Sequence, residues 1–120
     1  MTRRTISTAA AGLFLLLSGA AFGADPTPMT VTGEVIDTYC YSTAGAKGEG
    51  HRTCGLTCAD KGIPIALLEK GTYKVYVLLP NKNATPVPKG LVDKMGRLAT
   101  VTGKMISVGG SQFLTVESFK

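Results

Sequence analysis

The sequence predicts a mainly β domain, a small five-stranded barrel interrupted by a cysteine-bearing insert. Three observations lead there. Short runs rich in Val, Ile, Thr and Tyr alternate with stretches that carry Gly and Pro, and helical punctuation marks only two short segments. At 120 residues the chain has room for one small domain.

The first run, "MTVTGEVIDTYCY", starts at Met29 and places Val31, Gly33 and Val35 on one face and Thr32, Glu34 and Ile36 on the other. It reads as a strand, with Gly33 at a bend or bulge. The small and charged residues of "STAGAKGEG" cannot pack a core and read as a loop. Gly50 to Lys61 reads as a short helix stopped by Lys61, Gly62 and Pro64, with Gly55 and two threonines working against it.

Ile65 to Leu68 and Tyr73 to Leu79 follow as two strands of a hairpin parted by "EKGT". Prolines in "ATPVPKGLVDKMGR" rule out a central strand, and Lys89 to Met95 fits one or two helical turns closed by Gly96. "LATVTGKMISV" and "QFLTVESF" are the last two strands, joined across "GGS". This order is that of an OB-fold-like barrel, with a short helix between strands 3 and 4 and a helical Cys/His insert between strands 1 and 2. A small β-sandwich is the alternative.

Residues 1–23 combine Arg3 and Arg4, an apolar run centred on Leu13 to Leu17, and small residues at Ala21 and Gly23. That is the pattern of a secretory signal peptide, and the run falls short of the roughly 20 residues that a spanning helix needs. Cleavage after Gly23 would leave residues 24–120 as a single soluble domain, periplasmic or secreted, without a membrane anchor. Loss of Arg3 and Arg4 would lower the formal charge from +5 to +3. The remaining basic residues are scattered singly, so no nucleic-acid partner is expected.

The chemistry concentrates in three cysteines and the single histidine, Cys40, His51, Cys54 and Cys58. On a helix, His51, Cys54 and Cys58 share one stripe, and the intervening loop can bring Cys40 back over it. Three thiolates and an imidazole suit zinc or copper(I). That set implies a site for a copper or zinc ion and a periplasmic protein partner for metal transfer.

Two other readings stay open. An odd number of cysteines in an oxidising compartment leaves one over from any pairing, so Cys40 bonded to Cys54 or Cys58 would staple the insert in a monomer or leave a thiol to link a dimer. A redox-active pair would need a thiolate stabilised by Arg52, Lys61 or the helix start. There is no Ser-His-Asp arrangement, phosphate-binding glycine loop or carboxylate pair, so an enzyme is expected only through the thiols or the metal.

"VTGEVID", "VTGKMIS" and "FLTVES" are similar to segments of exported bacterial OB-fold proteins, a likeness spanning about Val31 to Ser118 outside the insert. The stretch "DTYCYSTAGAKGEGHRTCGLTCADKGIPIALL" resembles a group of small exported proteins of unsettled function that share a Cys, His, Cys, Cys set followed by Gly-x-Pro. Cys-x3-Cys with a nearby histidine is also similar to the ligand sets of Sco-type copper chaperones and of the dinuclear copper centre of oxidases. Here His51 precedes the pair and their characteristic surroundings are missing.

Overall fold

The computed structural model describes residues 25–120, so the signal-peptide expectation for residues 1–23 lies outside the described residues. Strands β1 (Thr27–Asp37), β2 (Ile65–Glu69), β3 (Val75–Pro80), β4 (Leu98–Val108) and β5 (Ser111–Val116) pair in the order β1-β2-β3-β5-β4. β4 pairs back onto β1 and closes a five-stranded barrel. Closure removes the free edges that an open sheet would expose. Neighbours are antiparallel except β3 and β5, which run parallel. The last predicted strand breaks at Glu117, and a two-residue β6 (Ser118–Phe119) pairs with β4.

β1 holds the ring together because it serves two neighbours. Thr27 to Glu34 pair with β4, and Gly33 to Asp37 pair with β2. Gly33 sits at the changeover. A Cβ there would run into the Leu68 carbonyl, so the glycine expected at a bend is what lets β2 approach.

Alternation along β1 sends Val31 and Val35 inward to Leu67, Tyr76, Leu78, Val101 and Leu114. On the outer face Thr30 and Thr32 pair their hydroxyls with Thr102 and Thr100, at 2.9 and 2.8 Å. Ile36 has outward parity yet is buried, because Tyr41, Ala66, Leu68 and Val75 cover that end of the barrel wall.

Between β1 and β2 lie α1 (Thr38–Ala44), a 3-10 turn (Glu49–His51) and α2 (Arg52–Asp60). The sequence reading put Cys40 at the end of a strand and the following residues in a loop; the strand instead stops at Asp37 and Cys40 belongs to α1. Asp37 is the reason, since its extended backbone and its side chain, which accepts from the Cys40 N–H, cap the helix. Gly45, at φ 64°, closes it. Tyr39 points to solvent, whereas Tyr41 packs on the outer cluster.

α2 falls within the predicted Gly50 to Lys61 helix. Gly55, unfavourable by propensity, is its buried residue: a Cβ there would lie 2.7 Å from Cγ of the core residue Met95. The helix therefore rests directly on the buried Met95 side chain. A single turn, α3 (Lys89–Val92), precedes Met95, whose neighbour Gly96 donates its N–H to Val35 O at 2.8 Å. Among the described residues no helix is long and apolar enough to cross a membrane.

Leu67 and Leu114 are fully buried in this core. Replacing either by Ala is expected to cost about 2–5 kcal/mol in urea unfolding, while Lys82→Ala on the surface should stay within about 0.5 kcal/mol of the parent.

Candidate metal centre

The centre begins at the last residue of β1. Asp37 has the parity of Val35, so its side chain turns toward the barrel interior, where it is wholly buried. A buried carboxylate needs partners for both oxygens. Oδ1 accepts the Cys40 backbone N–H at 2.8 Å, and Oδ2 lies 2.7 Å from His51 Nε2. Burial alone would raise the Asp37 carboxyl, but the hydrogen bonds from Cys40 and His51 outweigh it and hold the group below its ordinary 3.8. An ionised carboxylate only accepts, so Nε2 carries a proton, and in the neutral form of the ring the lone pair lies on Nδ1.

The insert then folds back on itself. Gly45 and Gly48, at φ 64° and 81°, carry the chain from α1 to the 3-10 turn, and the Gly48 N–H donates to the Glu34 carboxylate. Arg97 grips Glu49 with two hydrogen bonds of 2.7 and 2.9 Å, and Arg52 Nη1 donates to Met95 O at 2.8 Å. At the far end of α2, the Ile63 N–H donates to Cys58 O and the Thr38 N–H to Pro64 O, both at 3.0 Å. The exit of α2 is thereby tied to the start of α1.

Cys40 is the hub of what results. Its donor atom lies within 4.8 Å of those of His51 and Cys54, and a second group of the same tightness joins Asp37, Cys40 and Cys58. Cys40 Sγ and Cys58 Sγ are 3.9 Å apart. All three cysteines are free; Cys54 is exposed, and Cys40 and Cys58 are half-buried. The four residues singled out by sequence thus come together with Asp37 as two overlapping triads sharing one thiol, rather than as one set with every donor close to every other.

Asp37 is the participant that sequence reasoning missed. The available signal was an Asp immediately before "TYC", a helix-capping residue placed ahead of a cysteine.

Burial pushes the Cys40 thiol up to about 12, helped by Cys58 and by Asp37. Cys58 is also raised, again mainly by burial. These thiols are protonated at neutral pH and become charged when a cation displaces their protons. Arg52, offered from sequence as a thiolate stabiliser, is engaged with the Met95 carbonyl. The result is a buried anion beside soft donors held in reserve.

Tyr76 is core, Phe119 packs against it, and Tyr73 is exposed with Lys47 Nζ 5.2 Å from its ring centre. Met29, Met95 and Met105 pack in or on the core. Comparison of the chain with family models, with curated proteins and with solved structures returns no match.

The depressed Asp37 pKa contributes stability that is present above about pH 4 and lost as pH falls through the folded-state value. Asp37→Asn keeps a capping side chain but removes the charge. Urea unfolding of metal-free protein at pH 7 and pH 3 should show the parent losing more stability than the variant; parallel losses would refute the role given to this carboxylate.

Proposed function

We propose that this protein is a soluble periplasmic metal-binding protein that holds one soft transition-metal ion through Cys40, His51, Cys54 and Cys58, with copper(I) ranked ahead of zinc. The observation that carries the reading is the pair of donor triads meeting at Cys40. Thiolates supply softness and negative charge, and His51 supplies a nitrogen. Asp37 acts behind the imidazole, fixing its tautomer so that Nδ1 is the nitrogen available to the ion. Copper ranks first because three sulfur donors in an exported protein suit its monovalent form, and the exposed Cys54 gives a partner protein a point of access.

The closed barrel with parallel β3 and β5 supports an OB-fold assignment, in which the barrel is a scaffold and the insert is the working part. One observation favours a second reading. The 3.9 Å contact between Cys40 and Cys58 would let a disulfide staple the insert, leaving the barrel surface as an interaction module.

Elemental analysis of mature protein purified from the periplasm without chelator, alongside Cys54→Ser, separates the two readings. The metal reading predicts about one equivalent of copper or zinc, sharply reduced in the variant. Metal-free protein with an intact disulfide that takes up no metal after reduction would favour the staple. Because the thiols bind protons in competition with the ion, affinity in vitro should also tighten about tenfold per pH unit for each proton displaced near neutrality. A pH-independent affinity would contradict thiolate ligation.

A further inference from the structure

We propose that Cys40 and Cys58 form a redox gate whose oxidation to a disulfide expels the bound metal. The proposal rests on the metal-binding reading above. Its first support is proximity: the two sulfurs are already in van der Waals contact at 3.9 Å, so a bond needs a closing movement of about 2 Å.

A second support is the anchoring of both residues. Thr38, two positions before Cys40, gives Pro64 O its backbone N–H at 3.0 Å and its hydroxyl at 2.9 Å. Cys58 O accepts the Ile63 N–H at 3.0 Å. Two short stretches of chain therefore hold the sulfurs opposite each other.

The third support is the logic of the donor set. Cys40 is common to both triads, so a bond that consumes it breaks both at once. Cys54 and Cys58 stand on successive turns of one helix, where disulfide geometry is hard to reach without distorting it. Cys54, the exposed thiol, is left over and free after the bond forms.

The oxidant is a low-molecular-weight disulfide. One thiolate of the pair attacks a sulfur of that disulfide, forming a mixed disulfide and releasing one small thiolate. The second protein thiolate attacks the protein sulfur of the mixed disulfide and releases the other. Two electrons pass from the cysteine pair to the small disulfide, the two small thiolates take up protons from water, and the metal leaves with its charge unchanged.

The test uses mature protein loaded with zinc, a redox-inactive ion, and treated with oxidised glutathione. Zinc release is followed by a chromogenic chelator and the bond is located by peptide mapping after alkylation. The gate predicts one zinc released per disulfide formed, a Cys40–Cys58 linkage, and an alkylatable Cys54. Cys54→Ser should still form the bond, and Cys58→Ser should form at least tenfold less intramolecular disulfide.

A Cys40–Cys54 or Cys54–Cys58 linkage, or a Cys40–Cys58 bond that leaves the zinc in place, would overturn the gate while leaving the metal site standing. Protein that takes up no zinc even when fully reduced would overturn both.

Discussion

The site depends on one buried carboxylate. Asp37 ends the strand that closes the barrel, starts the helix that carries Cys40, and holds the ring of His51. Each link follows from the need of a desolvated anion for two donors. Replacing the side chain with an apolar one would uncap α1 and leave the imidazole free to turn. Helix start and imidazole orientation are thus set by the same two oxygens.

The rest of the fold keeps that arrangement rigid without taking part in its chemistry. A domain of about a hundred residues buries little apolar surface, and a side-chain constellation built only on loops would be poorly held. Here α2 is seated on Met95 through Gly55, and its ends are fixed by the Arg52 contact to Met95 O and by the Cys58 to Ile63 hydrogen bond. The barrel supplies a fixed platform. The insert supplies donors with one side, at Cys54, open to solvent.

Much of this was legible in the sequence. The inward face of β1 followed from simple alternation at Val31, Gly33 and Val35, and the α2 segment from its glycine and proline stops. Helical spacing accounts for His51 lying near Cys54 and chain length for the return of Cys40, but Cys58 joins Cys40 and Asp37 in a separate group, which the single stripe did not foresee. What escaped was α1. Its residues, "TYCYSTA", have strand-like or neutral propensity and no buried face, so no periodicity announces them. The helix exists because Asp37 caps it and Gly45 ends it, a local effect that pattern reading places below β propensity. Missing α1 concealed the second role of Asp37, because a carboxylate in a strand gives no hint that it will meet a histidine 14 residues away.

An ion held among sulfur donors at Cys40 is the core of the proposed function. X-ray absorption at the metal edge of the loaded protein tests it most directly. The expected result is a shell dominated by sulfur, at about 2.3 Å for zinc, with a single imidazole nitrogen contribution. A shell of oxygen and nitrogen alone would place the metal elsewhere and reduce the cysteines to a staple.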